Sequence, residues 1–181
     1  MQKYLLAAGL LAIATPALAE TPVLTVLTYD SFTSEWGPGP AVEKAFEATC
    51  ACDLQFVPAG DGAALVARIQ LEGAASDADV VLGLDTSLTA AAAATQLFAP
   101  HGKTPVLNLP VDYADPLFLP FDWGWFAFVY DKTKLSEPPK SFGALAASDL
   151  KIVIQDPRSS TPGLGLLLWV KAAYGDKAAE V

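Results

Sequence analysis

Tyr29, Asp30, Phe32, Glu35 and Trp36 crowd one short segment, LTYDSFTSEWGPGPAVEKAF at 27–46, where an ordinary surface turn would carry Gly, Ser and Asn. Rings and carboxylates together suit cation recognition: each π face contributes roughly 0.5–2 kcal/mol, depending on desolvation, and an acid supplies the counter-charge. Further acids stand in comparable places, Asp61 in AGDG (59–62), Asp85 in LDTS (84–87) and Asp122 inside a later aromatic run. A second group has the opposite preference. In DPRSSTPGLG (156–165), Ser159, Ser160 and Thr161 precede Pro162 and Gly163. Thr161 before Pro162 fits an N-cap with proline at the first helical position, and such a helix start seats an anion or a hydroxyl on free backbone N–H groups. Plain capping accounts for each of these residues singly, so a site depends on the fold bringing them together.

The hydrophobic periods say which elements would do so. PVLTVLTY (22–29), CDLQFVP (52–58) and ADVVLGL (78–84) read as strands, and AVEKAFEATC (41–50) and DGAALVARIQLEG (61–73) as the helices between them, with Asp61 as a cap. This β-α-β-α-β order predicts an α/β fold, an open parallel sheet with helices on its faces, in which ligands bind beyond the carboxyl ends of the strands. Tyr29 to Phe32, Asp61 with Gly62, and Asp85 all fall at those ends. Farther on, SLTAAAAATQLF (87–98) reads as a helix and the Pro-containing stretch 99–116 as a loop. The aromatic run FLPFDWGWFAFVYDKTKL (118–135) reads as extended segments buried on both sides, suited to crossing between two lobes. SFGALAAS (141–148) is expected as a short helix, KIVIQDP (151–157) as another buried strand and TPGLGLLLWVKAAYG (161–175) as a helix. No nucleotide-binding glycine fingerprint, phosphate loop or internal repeat is present.

The first residues, MQKYLLAAGLLAIATPALA, combine Lys3, an apolar run and Ala17-Leu18-Ala19, the pattern of a cleaved secretory signal. That apolar run is too short to span a bilayer, so the expected product is exported to the periplasm and not embedded in the membrane. The 11 basic and 20 acidic residues give a net charge of −9, one unit more negative without Lys3, which disfavours nucleic acid and favours a small cation. Cys50 and Cys52 form C-A-C: a local disulfide is the first reading, plain packing the second, and a metal clip the third. His101 is the lone histidine, so neither a metal-ligand set nor an imidazole-based catalytic triad is evident.

The segments TYDSF, WGPGP, ADVVLGLD, PFDWGWFAFVYDK and QDPRSSTPGLGLLLW, in this order and spacing, resemble the thiamine-binding family of periplasmic solute receptors that feed ATP-driven importers. The resemblance runs from about Pro22 to Val181. It implies a two-lobed, type II-like periplasmic binding protein fold, with a signal peptide at 1–19, a first lobe at 20–117, a hinge or crossover at 118–135 and the start of a second lobe at 136–181. It implies no enzymatic activity and no cofactor. The implied ligands are thiamine, thiamine phosphate and thiamine diphosphate, and the implied partners are a membrane permease and its ATPase. Carried over by position, Asp61 and Gly62 meet the ligand from one lobe and Ser160 and Thr161 from the other, with Tyr29 and Trp36 nearby and Asp30, Asp85 and Asp122 as further candidates. Thiamine combines a cationic thiazolium with a hydroxyl or phosphate tail, so the acidic, aromatic end would hold the rings and the Ser-Thr helix start the tail. Members of this family are nearly twice as long, which makes the chain an expected fragment whose LGLLLWV stretch lacks part of its cover. Two rivals share the fold: a receptor for another organic cation such as a polyamine, and a thiaminase I-like enzyme with a cysteine nucleophile.

Overall fold

The computed structural model describes residues 20–181, and the expected signal peptide lies outside them. β1 (Val23–Thr28) leads through a short helix α1 (Asp30–Thr33) into α2 (Gly39–Cys50), and β2 (Asp53–Pro58) leads into α3 (Gly62–Glu72). β3 (Val80–Val81) and α4 (Thr89–Ala93) follow, then α5 (Phe142–Ala146) and α6 (Thr161–Tyr174). The sheet order is β2-β1-β3 and both pairings are parallel. β1 therefore occupies the centre, and its last three residues, Val26, Leu27 and Thr28, are buried. Leu27 packs with Leu65 and Ile69 of α3, and Tyr29, Val57, Val81, Leu84 and Phe98 close around them. These residues recur along α3 at the helical period that places one stripe against a sheet.

Local chemistry fixes the joints. Asp79 takes the Thr25 N–H with its carboxylate at 2.9 Å, while its own N–H goes to the Thr25 carbonyl, so β3 is aligned on β1 although only two of its residues form a strand. Glu47 reaches from α2 to accept the Leu54 N–H on the outer side of β2, which satisfies an amide that the sheet edge leaves unpaired. Cys50 and Cys52 are joined in a disulfide across the end of α2, where Ala51 adopts φ 52°. The first of the three readings of C-A-C is therefore the one the structure adopts.

Four expectations change. The third strand, expected over 78–84, shrinks to Val80–Val81, and the alanine-rich helix expected over 87–98 to Thr89–Ala93. Helix α4 stops because the chain turns at Gln96, whose φ is 59°. The aromatic run 118–135 is not buried on both sides: Trp125 is 75% exposed and Val129 96%. KIVIQDP forms no strand and Val153 is 98% exposed. The physical reason is common to the last two. β-propensity is realised only where a neighbouring strand supplies ladder partners, and none of the described strands lies beside either segment.

That difference in cover is measurable. Leu65 is fully buried, so Leu65→Ala should lower unfolding free energy in urea by about 2–5 kcal/mol, whereas Val153→Ala should stay within about 0.5 kcal/mol. A large loss at Val153 would show that 151–157 is packed as a strand after all.

Candidate functional site

The carboxyl ends of the three strands meet at one corner. Tyr29 follows β1, and α1 turns Asp30 so that its carboxylate accepts the Gly60 N–H at 2.7 Å while its own N–H goes to the Gly60 carbonyl at 2.8 Å. This reciprocal pair ties the loop after β1 to the loop after β2, and it commits one oxygen of Asp30 to the backbone. Phe32 is a core residue, 2% exposed, edge-on to Tyr29, Phe56 and Phe121. Trp36 is 89% exposed. Of the aromatic cluster at 29–36, Tyr29 is the ring that lies near other candidate acids, Asp61 and Asp122.

Asp61 sits at the start of α3 in extended conformation, and its carboxylate accepts the Gly62 N–H at 2.8 Å. Its second oxygen accepts the Thr161 N–H at 3.1 Å, a contact between residues 100 apart in sequence. Asp85 reaches the same residue, taking the Thr161 hydroxyl proton at 2.7 Å, while its other oxygen accepts from Ser87. Gly62 is needed at this junction, because a Cβ there would stand 2.7 Å from Leu88 Cδ1 and 3.2 Å from Thr161 Oγ1. The structure thus brings together Asp61, Gly62, Asp85 and Thr161.

Tyr29 lies against Gly83, where φ is +110° and a Cβ would come 2.2 Å from the ring. Burial raises the Tyr29 phenol above its ordinary 10.0, and the nearby charges of Asp122 and Asp61 raise it further. The phenol therefore remains a neutral hydrogen-bond donor beside two acids. Asp122 enters the site by this electrostatic proximity.

The Ser-Thr turn differs from its expected role. Ser160 caps α6 by accepting the Gly163 N–H, and its hydroxyl also meets the Gln155 side-chain oxygen. Arg158 is folded back on Asp156, whose carboxyl it holds below the usual range. With Thr161 engaged by Asp61, the first N–H groups of α6 are occupied from within the protein. The acidic group and the Ser-Thr helix start thus meet at one corner, where acids of the sheet edge contact the first residue of α6. Sequence spacing could not reveal this, because the link between Asp61, Asp85 and Thr161 is purely tertiary.

The comparisons with known proteins agree with this architecture. Residues 38–179 match the family described as bacterial extracellular solute-binding protein. The chain belongs to that family. It is 54% identical over 183 residues to the thiamine-binding periplasmic protein of Salmonella typhimurium, covering 99% of this chain and 55% of the relative. It is 52% identical over 174 residues to the protein of that name in Escherichia coli, covering 94% and 53%. A solved structure titled periplasmic thiamin binding protein superposes with a TM-score of 0.85 at 51% identity, covering 95% of this chain and 54% of that one. The chain spans about half the length of the curated relatives it matches. Within the solute-binding fold, the corner described above lies at the carboxyl edge of a parallel sheet, where such sheets place their ligands.

Two measurements probe this corner. Gly83→Ala should cost more than about 2 kcal/mol of stability in chemical denaturation, since an L-residue at that φ is strained and its Cβ meets Tyr29. In ultraviolet titration of the phenol, Asp122→Asn should move the Tyr29 midpoint downward toward 10.0, because removing a neighbouring negative charge eases ionisation. An unmoved midpoint would remove Asp122 from the site.

Proposed function

We propose that this solute-binding chain is part of a periplasmic receptor that captures thiamine and its phosphates and passes them to the permease and ATPase subunits of an importer. The observation that carries the reading is the placing of Asp61 and Asp122 beside the neutral phenol of Tyr29, with Asp85 joined to Asp61 through Thr161, at the sheet's carboxyl edge. A permanently cationic thiazolium finds counter-charge there, and the Tyr29 ring offers an aromatic face. The names of the relatives supply the ligand class, and the export of the chain to the periplasm after cleavage of residues 1–19 follows from the same reading. The division into a first lobe (20–117), a crossover (118–135) and the start of a second lobe (136–181) belongs to the proposal. So does the assignment of Asp61, Gly62, Thr161 and Tyr29 to the ligand, with Ser160, Asp30, Asp85 and Asp122 supporting them and Trp36 at the rim.

The tail of the ligand acquires a more specific requirement. A hydroxyl or phosphate reaching the start of α6 has to replace the Asp61 carboxylate on the Thr161 N–H. The thiaminase-like alternative loses its nucleophile, since both cysteines are consumed in the disulfide.

Calorimetric titration with thiamine tests the reading. Asp61→Asn retains one oxygen able to cap α3 and removes the charge together with the second acceptor on the Thr161 N–H, so thiamine affinity should fall by about 1.5–3 kcal/mol while the sheet core stays folded. Spermidine titrated in parallel addresses the polyamine alternative. Binding of spermidine in preference to thiamine, or an Asp61→Asn affinity equal to that of the parent, would sink the assignment.

A further inference from the structure

The loop after β2 hangs on the residues that follow β1 by three hydrogen bonds. Two are backbone bonds, Ala59 N–H to the Thr28 carbonyl at 2.9 Å and Asp30 N–H to the Gly60 carbonyl at 2.8 Å, which carry the pairing of β1 and β2 past the ends of the strands. The third comes from a side chain, the Asp30 carboxylate accepting the Gly60 N–H at 2.7 Å. Gly60 has φ +91°, a conformation that glycine enters freely and holds loosely, so the capture of both its backbone polar groups by Asp30 settles where the chain goes next. The next residue is Asp61. It leaves Gly60 extended, at φ −117°, and its carboxylate then accepts from both Gly62 and Thr161.

Asp30 itself is turned aside. It is exposed, and although it follows Tyr29 in the chain, the acids whose charge bears on the Tyr29 phenol are Asp122 and Asp61. Helix α1 fixes this orientation, since Thr33 donates its hydroxyl to the Asp30 carbonyl at 3.1 Å and Phe32 anchors the turn in the core. We infer that Asp30 is a positioning residue: it orders the Ala59–Gly60 turn so that Asp61 stands at the starts of α3 and α6 beside Tyr29, and it lends the site no charge of its own. The placing of Asp61 follows from the hydrogen bonds alone; that a ligand gains by it rests on the functional reading above. What Asp30 contributes is an acceptor at one place, which an amide oxygen also supplies. A contribution of charge would require the carboxylate. The two roles therefore part between Asp30→Asn, which keeps an acceptor and drops the charge, and Asp30→Ala, which drops both.

Tyr29 reports the place of Asp61 with no ligand added. In ultraviolet titration of the 181-residue chain, taken as the difference from Tyr29→Phe, the phenol midpoint should keep the parent value in Asp30→Asn and fall toward 10.0 in Asp30→Ala, because a freed loop carries the Asp61 charge away. Gly60 amide exchange should quicken roughly fivefold or more in Asp30→Ala and less in Asp30→Asn, whose neutral acceptor is the weaker one. The amide of Ile69, buried under the sheet, is the check on folding. If Asp30→Ala also loosens Ile69, Asp30→Ser supplies the comparison, its hydroxyl falling one bond short of Gly60. Midpoints that move alike in the Asn and Ala chains, or in neither, overturn the inference. Thiamine titrated calorimetrically into the same chains reads the functional half: affinity should fall roughly tenfold or more in Asp30→Ala and stay within about threefold of the parent in Asp30→Asn. An equal loss in both makes Asp30 a charge on the ligand and overturns the positioning role. A parent chain that takes up no thiamine counts against the functional reading, and the Tyr29 comparison then decides the positioning by itself.

Discussion

Asp61 closes two helices at once. One carboxylate oxygen accepts the first N–H of α3 and the other the first N–H of α6, so the positive ends of two helix dipoles converge on one negative charge. Each helix N-terminus favours an acid by about 0.3–1 kcal/mol at a surface and up to ~2 kcal/mol when partly buried. Asp85 adds a second acid within reach of the same residue, and the repulsion between the two is offset by the Thr161 donors lying between them. An acidic chain can tolerate this concentration of charge because the backbone dipoles are arranged to meet it.

The position of Asp61 follows from the sheet. β1 has a parallel neighbour on each side, and parallel pairing puts the carboxyl ends of all three strands on one edge. The loops that leave them are then neighbours whatever their distance in sequence, and reciprocal bonds between Asp30 and Gly60 hold the first two together. Gly83 permits the Tyr29 ring to approach the third closely. The site is thus a consequence of strand direction, and the glycines at 62 and 83 are the places where side chains had to be omitted for the loops to close.

Asp61 as a cap, the two long helices α2 and α3 and the parallel order were legible in the sequence, since each depends on local spacing or on the strict alternation of strand and helix; the start of α6 was legible to within one residue, the cap falling on Ser160 and not on Thr161 because the Ser160 hydroxyl takes the Gly163 N–H. The brief α1 was not, because DSFT has no periodicity to display, and its role is to direct Asp30 at Gly60. Phe32 and Trp36 illustrate a second limit. Composition joined them to one aromatic wall, while packing sends Phe32 into the core and leaves Trp36 in solvent. Thr161 illustrates a third: its residue type announced a helix cap, but the acids that occupy it come from 76 and 100 residues away.

The segments that departed most from expectation also explain why so much depends on Thr161. From 121 to 130 and from 150 to 154, Phe, Trp, Val and Ile side chains stand largely exposed, so these stretches contribute little burial to hold the later helices against the sheet. Apolar surface left in water forgoes roughly 25 cal/mol per Å², and local opening is easiest where buried contacts are few. Rings do cross the divide at Phe32 and Phe121, and Gly165 admits Phe126 against α6. Those contacts orient rings edge to face more loosely than a hydrogen bond orients its donor and acceptor. Among the described residues the two donors of Thr161, each with a defined acceptor, are the direct hydrogen bonds from α6 to the sheet edge, and the acids that orient the helix there are the same two that give the corner its charge.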